Sequence, residues 1–322
     1  MSKSYKLVVL DGFTMNPGDL SWQKIQSFGT CKIYNRTAAQ ETVERSKGAD
    51  IVLTNKVVFN RTVLSQLPNL KYIAVTATGY NVIDAGAAKE LGVLVSNVPA
   101  YSTDSVAQMV FAYILNYTQN VAHFNQTVKN GQWEKSKDFC YWDIPLTELT
   151  GKTIGIIGFG RIGRRVARIA EVLGMNVLVH SRTTGSDTEK IQFVKLKKLL
   201  HQSDFISLHC PLTAQTEHII NKDNINLMKQ SAVVINTGRG GLVNESDLAD
   251  ALNSKQIVAA YVDVLSSEPP APGNPLLQAK NCYITPHIAW ATISARQRLM
   301  NIVAGNIESF IAGNPKNIVN AG

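Results

Sequence analysis

The chain has 322 residues, of which 45% are hydrophobic and 17% are charged. A chain of this length typically forms about two domains, and its apolar content excludes an intrinsically disordered protein. The formal net charge is +8, yet no polybasic face and no nucleic-acid-binding motif is apparent, so we expect no nucleic-acid partner. The four cysteines are widely spaced, which argues against a disulfide scaffold or a zinc ribbon and fits a reducing compartment.

No part of the sequence has the pattern of a targeting or membrane segment. The apolar run at residues 7–10 is too short for a signal-peptide core and is followed at once by Asp11. The longest mostly apolar stretch, residues 106–115, is much shorter than a membrane span. We therefore expect a soluble, cytoplasmic protein without a membrane partner.

Short apolar segments alternate with longer helical patterns along the chain. The predicted strands are residues 6–10, 51–54, 72–77, 93–96, 153–157, 176–180, 205–209, 232–236, 259–264 and 282–285. Helical patterns include residues 105–130, 162–173 and 291–312. This alternation predicts an α/β fold, and near-continuous apolar strands are typical of parallel sheets covered by helices on both faces. About ten such strands need two sheets, so we expect two α/β domains.

A glycine-rich turn links one predicted strand to a helix. The segment Gly158-Phe-Gly160-Arg-Ile-Gly163 follows the strand at 153–157 and opens the helix at 162–173. In this context the pattern indicates a dinucleotide site. Gly158 permits the tight turn, Gly160 admits the pyrophosphate close to the backbone, and Gly163 lets the helix pack on the strand. A glycine-rich turn without a ligand is the disfavoured alternative, because strand, motif and helix occur together.

The next predicted strand ends in Ser181, Arg182 and Thr183, at a position where NAD sites usually carry Asp or Glu. The nearest acid, Asp187, lies farther along the loop. Without a carboxylate at the strand end a 2′-phosphate is not repelled, and Arg182 offers it a charged donor. We therefore predict that NADP(H) is favoured over NAD(H). The alternative is that Arg182 only stacks on adenine while NAD(H) binds.

Three later loops each begin where a predicted strand ends. They carry Arg239, Glu268 and His287. Since ligands of open α/β sheets bind beyond the carboxyl ends of the strands, these three side chains are candidates for one site. Taken singly, each has a simpler interpretation: a surface arginine, a loop glutamate before proline, and a buried histidine.

With these loops the sequence closely resembles the D-isomer-specific 2-hydroxyacid dehydrogenases, over essentially the whole chain. The shared features are Ser105-Val-Ala-Gln108, the glycine-rich turn, Leu208-His-Cys-Pro-Leu212, and the Arg, Glu and His loops in family order. The glycerate dehydrogenase/hydroxypyruvate reductase branch is the most similar, through Asp11-Gly, Asn16-Pro-Gly-Asp-Leu20, Ala77-Thr-Gly-Tyr80-Asn81, Phe139-Cys-Tyr-Trp-Asp143 and His287-Ile-Ala-Trp290. Gln108 departs from the pattern, since many members have Glu there.

The resemblance implies reversible, NAD(P)H-dependent reduction of a small 2-keto acid, hydroxypyruvate or glyoxylate, to the D-2-hydroxy acid. Arg239 would bind the substrate α-carboxylate and touch the keto oxygen, because its planar fork suits that group. His287 would give its proton to the carbonyl oxygen as hydride reaches C2, and would act as base in reverse. Glu268 would hydrogen-bond His287 and fix the orientation of its ring.

The same resemblance implies further contacts. The backbone N–H groups near Thr78 and Gly79 would hold the carboxylate, and Trp290 would either wall the substrate pocket or pack between domains. Asp263 and the Thr237 carbonyl would orient the nicotinamide carboxamide. The remaining cofactor contacts would come from Val106, Gly158, Gly160, Arg161, Ile162, Gly163, Ser181, Arg182, Cys210, Pro211, Thr216, Gly238 and His287.

The family fold implies two Rossmann-like, doubly wound parallel-sheet domains with the active site in the cleft between them. Residues 1–101 and 291–322 would form a flavodoxin-like substrate-binding domain, and residues 102–290 the dinucleotide-binding domain. The resemblance implies a homodimer, whose interface would contain the region of the long linking helix that carries Ser105-Val-Ala-Gln108. The aromatic tract at residues 133–142 would then serve that interface and reach the partner's cleft, or else simply cover its own domain.

Other functions stay open at this point. Within the family, the chain could be a D-lactate, phosphoglycerate or aromatic hydroxyacid dehydrogenase. A different class is a non-catalytic, dinucleotide-sensing regulator, because corepressors use this same fold. His209 beside Cys210 invites a metal site, but neighbours on a strand point to opposite faces, so we expect no metal.

Overall fold

The computed structural model describes residues 4–183, 188 and 190–321, so Asp187 lies outside the described residues. The strands are β1 (Tyr5–Val9), β2 (Gly29–Ile33), β3 (Ile51–Thr54), β4 (Tyr72–Val75), β5 (Leu94–Ser96), β6 (Thr153–Ile157), β7 (Asn176–His180), β8 (Ile191–Phe193), β9 (Phe205–Leu208), β10 (Val233–Asn236), β11 (Ala259–Val262) and β12 (Cys282–Ile284). The helices are α1 (Gln23–Gln26), α2 (Thr42–Ser46), α3 (Arg61–Leu64), α4 (Ala85–Glu90), α5 (Thr103–Gln119), α6 (Val121–Lys129), α7 (Arg161–Val172), α8 (Leu196–Gln202), α9 (Lys222–Ile225), α10 (Glu245–Asn253) and α11 (Ile293–Ile311). Across this described part of the chain, no helix is both long and apolar enough to cross a membrane.

The first unit, formed by Met1–Ser102 with Ala291–Gly322, is built on a parallel sheet. Its described strands run in the order β2-β1-β3-β4-β5. Every residue of β3 and β4 is buried, as expected for apolar strands at the centre of a parallel sheet. Thr54 pairs with Val75 at the carboxyl ends of these strands, so the two loops that follow leave the sheet side by side.

The second unit, Thr103–Trp290, contains a larger parallel sheet whose described strands run in the order β12-β11-β10-β9-β6-β7-β8. The strand order reverses between β6 and β9, and ligands of doubly wound sheets bind beyond the strands at such a switch point. The glycine-rich turn follows β6, so the topology places it at the switch point. The prediction of an α/β fold with two doubly wound parallel sheets is therefore confirmed.

The single helix predicted for residues 105–130 is wrong. Helix α5 ends at Gln119 and α6 begins at Val121, because Asn120 adopts a left-handed conformation with φ of 46°. Asn tolerates this conformation better than most residues with a side chain, and its Nδ2 donates to the carbonyl of Tyr117 at 2.9 Å. The two segments also differ in burial, since one face of α5 is buried and none of the nine described residues of α6 is.

Strands β2 and β8 were not predicted. Each lies at an edge of its sheet, and along each the residues alternate between exposed and half-buried. A strand that is covered less completely needs fewer apolar residues. The continuous apolar runs that identify the central strands are therefore missing from these two.

Helix α11 packs against β4 of the first unit, where Phe310 stacks on Tyr72 with ring centroids 4.4 Å apart. Arg296, nearly buried on this helix, donates to both carboxylate oxygens of Asp19, at 2.7 and 2.6 Å. These hydrogen bonds lower the pKa of the Asp19 carboxyl and raise the pKa of the Arg296 guanidinium. The pair ties the last helix to the loop after β1.

After α11, the side chain of Asn320 serves as an extra hydrogen-bonding partner for β5. The N–H of Val95 donates to its Oδ1 at 2.9 Å, and its Nδ2 donates to the carbonyl of Val93 at 2.8 Å. All three residues are buried, so Asn320 satisfies two backbone groups that water does not reach.

We expect Asn320→Leu to lower the free energy of unfolding of the first unit by about 2–4 kcal/mol, because a side chain of similar size leaves two buried backbone groups unpaired. Urea-induced unfolding followed by circular dichroism measures the effect. Asn314→Leu, at an exposed position after α11, is the matched control and should change stability by less than about 0.5 kcal/mol. Equal stability of the two variants would contradict the role of Asn320.

Candidate active site

The carboxyl ends of β10, β11 and β12 form one edge of the second unit's sheet. Asn236 pairs with Val262, and Val262 pairs with Ile284, so the three strands end level with one another. The loops carrying Arg239, Glu268 and His287 begin from this edge. The register thus brings together three segments that are separated by 29 and 19 residues along the chain.

The Arg239 loop is shaped by the buried side chain of Asn236. Its Oδ1 accepts from the N–H of Gly238 at 3.0 Å, and its Nδ2 donates to the carbonyl of Arg239 at 2.8 Å. The Arg239 side chain is exposed, with Nη1 donating to the Gly238 carbonyl at 2.8 Å. A Cβ on Gly240 would lie 1.9 Å from the carbonyl carbon of Leu265, so only glycine lets this loop lie directly on the loop after β11.

The carboxylate of Asp263, 2% exposed, connects β11 to the loop after β12. Its Oδ1 accepts from the Thr285 hydroxyl at 2.5 Å and from the Ile288 N–H at 2.8 Å, and its Oδ2 accepts from the Ala289 N–H at 2.8 Å. A carboxylate has about four acceptor positions, so one on Oδ2 is left for a ligand. The residue therefore orients the His287 loop and still retains capacity to accept from an amide.

The structure joins the side chains of His287 and Glu268 directly. Nδ1 of His287 lies 2.6 Å from Oε2 of Glu268, and both side chains are about one-third exposed. In the described residues Nε2 has no protein partner. The backbone of His287 has a φ of 52°, a left-handed conformation that costs on the order of 1 kcal/mol for a residue with a Cβ. Strain of this kind persists where surrounding contacts fix the backbone.

Glu245, in the first turn of α10, anchors the loop that carries Glu268. Its Oε1 accepts from the N–H of Ser266 at 2.7 Å, and its Oε2 accepts from the hydroxyl of Ser266 and from Nδ2 of Asn274, both at 2.8 Å. Glu268 itself accepts a longer hydrogen bond, 3.3 Å, from the N–H of Leu265. Sequence reasoning missed Glu245, since an acidic residue after Asn244 indicates only the start of a helix.

Close packing leaves no room for a side chain at Gly158 or Gly163 of the glycine-rich turn, but it does leave room at Gly160. A Cβ on Gly158 would lie 2.4 Å from the amide nitrogen of Cys210, and one on Gly163 would lie 2.2 Å from the carbonyl oxygen of Gly158. A Cβ on Gly160 would have no atom within 4 Å. Gly160 is the N-cap of α7, so the absence of a side chain there leaves space beside the helix N-terminus, where phosphate groups bind.

Arg161 and Ile162 begin α7 directly after this space; Arg161 is exposed and Ile162 half-buried. On the neighbouring strand, β7 ends before Ser181 and the exposed Arg182. Burial raises the pKa of the Cys210 thiol, and a backbone hydrogen bond and the positive charge of Arg182 both oppose that rise.

The loop after β9 is closed by Thr216. Its Oγ1 donates to the carbonyl of Pro211 at 2.6 Å and accepts from the N–H of Thr213 at 2.8 Å. Thr216 therefore shapes the loop that begins at Cys210 and Pro211.

His209 lies just before this loop. Its Nε2 lies 2.8 Å from the hydroxyl oxygen of Ser207, and burial lowers the pKa of its ring to about 4. No group of three or more potential metal-binding side chains occurs in the described part of the chain.

The residues of this edge fit a dinucleotide. Thr237 follows β10 and is nearly buried, yet its hydroxyl has no partner among the described residues, which is the signature of a group that meets a ligand or water. Together with the space beside Gly160 and the acceptor position on Asp263, it provides polar contacts along the carboxyl edge of the sheet, from β6 to β11. Val106 is buried at the start of α5, and Gly238 is half-buried beside Thr237.

Trp290, half-buried, ends the second unit. Thr78 and Gly79 belong to the first unit, in the loop after β4. The Thr78 hydroxyl donates to the carbonyl of Val98 at 2.9 Å, and its own carbonyl accepts from Nδ2 of Asn97 at 2.7 Å. These contacts fix the loop and use no backbone N–H of Thr78 or Gly79.

Comparison with known proteins places this architecture in a family. Residues 111–289 match the NAD binding domain of the D-isomer specific 2-hydroxyacid dehydrogenases. A hydroxypyruvate reductase of Blautia hydrogenotrophica is 48% identical over 320 residues, which cover 98% of this chain and 99% of that protein. A glycerate dehydrogenase of Methylorubrum extorquens is 42% identical over 284 residues, 88% of this chain and 89% of the relative.

A solved structure extends the likeness to three dimensions. An acyclic imino acid reductase in complex with NADPH and D-Arg is 32% identical and superposes with a TM-score of 0.84, covering 98% of this chain and 99% of that one. Both the sequence match and the two parallel α/β sheets agree with the predicted resemblance. The chain belongs to the D-isomer-specific 2-hydroxyacid dehydrogenase family.

Proposed function

We propose that this protein is an NAD(P)H-dependent reductase that converts hydroxypyruvate or glyoxylate to D-glycerate or glycolate, and runs in reverse on the product. The relatives named hydroxypyruvate reductase and glycerate dehydrogenase support this substrate class. The observation that carries the chemistry is the 2.6 Å contact between His287 Nδ1 and Glu268, at the sheet edge that also bears Arg239.

His287 is the acid that protonates the substrate's keto oxygen. The carboxylate of Glu268 accepts the Nδ1 proton, which fixes the orientation of the ring while Nε2 holds the second proton. Nε2 gives that proton to the oxygen that becomes the product hydroxyl. In the reverse direction the neutral ring takes it back, because Nδ1 remains bonded to Glu268.

Arg239 binds the α-carboxylate of the substrate through its planar fork of donors. Trp290 walls the pocket and limits the substrate side chain to a small group. When bound, the reduced nicotinamide dinucleotide supplies the hydride that reaches C2. Asp263 and the Thr237 carbonyl would hold its carboxamide, and the backbone from Gly158 to Gly163 would hold its pyrophosphate.

Replacing His287 by Gln should lower kcat for hydroxypyruvate by at least about 100-fold, because the proton donor is lost. The loss of reduced-nicotinamide absorbance measures turnover, and fluorescence titration should show that the cofactor still binds.

His201→Gln, at an exposed position on α8, is the control and should keep wild-type turnover. Near-normal turnover of the His287 variant would overturn the assigned role. Turnover of the substrates of D-lactate, phosphoglycerate or aromatic hydroxyacid dehydrogenases, without turnover of hydroxypyruvate or glyoxylate, would overturn the substrate class. Cofactor-dependent binding of a partner protein without any turnover would favour a non-catalytic regulator.

NADP(H) is the favoured cofactor in this proposal. Two features support it: the residues that directly follow β7, Ser181 and Arg182, carry no carboxylate, and the positive charge of Arg182 lowers the pKa of the Cys210 thiol against the effect of burial. A 2′-phosphate is doubly charged near neutral pH, so an arginine at this edge adds charge-assisted hydrogen bonds that a ribose hydroxyl does not make.

Arg182→Ala should raise the KM for NADPH by about tenfold, and it should change the KM for NADH by less than about twofold. Steady-state kinetics with each cofactor at saturating hydroxypyruvate measures both values. Arg168→Ala, at an exposed position of α7, is the control for loss of a surface charge. A wild-type kcat/KM that favours NADH by about tenfold would contradict the assignment.

The protein is also proposed to act as a homodimer through the surface that surrounds α6. Phe139 is 90% exposed and Trp142 67% exposed, whereas Tyr141 contacts the Thr127 hydroxyl of its own unit at 2.6 Å. Exposed aromatic side chains are enriched at protein interfaces.

Phe139→Asp combined with Trp142→Asp should convert a dimer of the 35.2 kDa chain to the monomer, because each charge would have to be desolvated in the interface. Sedimentation velocity measures the mass. Val172→Asp, at an 87% exposed position on α7, is the control and should leave the mass unchanged. A monomeric wild-type protein would refute the dimer.

A further inference from the structure

Tyr113, on the buried face of α5, contacts the loop that carries His287 through its hydroxyl. The residue is 6% exposed, and its phenol oxygen hydrogen-bonds the hydroxyl of Thr285. Thr285 in turn bonds Oδ1 of Asp263 at 2.5 Å. A chain of three polar groups therefore runs from a helix to the carboxylate that orients the His287 loop, and all three groups lie in the second unit.

The chemistry of the groups fixes the direction of these hydrogen bonds. An ionised carboxylate only accepts, so the single hydroxyl proton of Thr285 is directed to Asp263. The Thr285 oxygen is then the acceptor for Tyr113, which must donate. Burial raises the pKa of the Tyr113 phenol to about 12, which keeps it protonated and able to donate throughout the physiological range.

The hydrogen-bonded side chains of Tyr113, Thr285 and Asp263 hold the backbone at His287 in place. Its N–H donates to the carbonyl of Asp263 at 2.8 Å and to that of Thr285 at 2.9 Å, and its φ is 52°. The next two amides, of Ile288 and Ala289, donate to the Asp263 carboxylate. A residue with a Cβ keeps a left-handed conformation only where its surroundings fix it. Here the residues on both sides of His287 are held by hydrogen bonds to the Asp263 carboxylate.

We propose that Tyr113 is a positioning residue for the reaction, which holds Thr285 and the Asp263 carboxylate in the arrangement that presents the His287 ring to substrate. The inference rests on the proposed function for its kinetic consequence, but its structural consequence stands apart from that function. Charged and polar groups in a water-poor network reinforce one another, so loss of the terminal donor weakens the bonds beyond it.

Tyr261 offers a matched control. It is also buried, its ring centroid lies 5.2 Å from that of Tyr113, and its hydroxyl accepts from Nδ2 of Asn116 at 3.1 Å. Burial raises the pKa of this phenol to about 12 as well. Removing its hydroxyl therefore reproduces the packing and polarity change of Tyr113→Phe without touching Thr285.

The experiment compares Tyr113→Phe, Tyr261→Phe and the wild-type full chain by hydrogen exchange and by kinetics. In Tyr113→Phe the amides of Ile288 and Ala289 should exchange about tenfold faster, as expected for the loss of a hydrogen bond in a charged network. For hydroxypyruvate, kcat should fall about tenfold while the KM changes less than about twofold. Tyr261→Phe should match the wild type in both measurements.

Equal exchange and equal kcat in the two phenylalanine variants would overturn the proposal. Thr285→Ser retains the hydroxyl, so the amides of Ile288 and Ala289 should exchange at the wild-type rate in that variant. In Thr285→Val these amides should exchange faster than in Tyr113→Phe. Since exchange needs no substrate, a wild-type protein that turned over neither hydroxypyruvate nor glyoxylate would defeat the proposed function, while the exchange result would still decide the role of Tyr113.

Discussion

The buried carboxylate of Asp263 is the interaction on which the rest of the candidate site depends. A carboxylate out of contact with water is tolerated only where hydrogen bonds replace its hydration, and three donors from the loop after β12 do so here. Those same donors surround His287 on both sides. The energetic requirement of one buried carboxylate therefore sets the conformation of the histidine at the candidate site.

The parallel sheet makes this arrangement available. Strands β10, β11 and β12 end in register, so each contributes one loop to the same edge. The loops are then locked to one another by short-range devices: Gly240 lies against the backbone of Leu265, Glu245 holds Ser266, and Asp263 holds Ala289. Loops that are fixed to one another and to the sheet hold their side chains in one geometry before a ligand binds, which is the preorganisation that an active site needs.

Much of this could be predicted from the sequence because the signals are local. The central strands are continuous apolar runs, and the glycine-rich turn sits between a strand and a helix. Edge strands β2 and β8 lack the apolar run, and the break at Asn120 leaves the helical periodicity intact, so neither was visible. Tyr113 reaches Thr285 across 172 residues of chain, and no pattern in the sequence reports a contact formed only by tertiary packing. The pairing of Glu268 with His287 was expected because a resemblance supplied it, since each residue alone has a simpler interpretation.

The hydrogen bonds between Asn320 and β5 also bear on how the chain acquires its structure. The first unit is discontinuous: its sheet comes from the start of the chain, but α11 and Asn320 come from the end, with the whole second unit encoded between them. During synthesis the second unit has all its residues before the first does. The early sheet therefore stays incomplete, with the face that α11 will cover and the edge of β5 open, until α11 and Asn320 have been synthesised. Exposed strand edges and apolar faces are where nascent chains associate wrongly, so the order of the sequence makes this unit the one most dependent on protection before release.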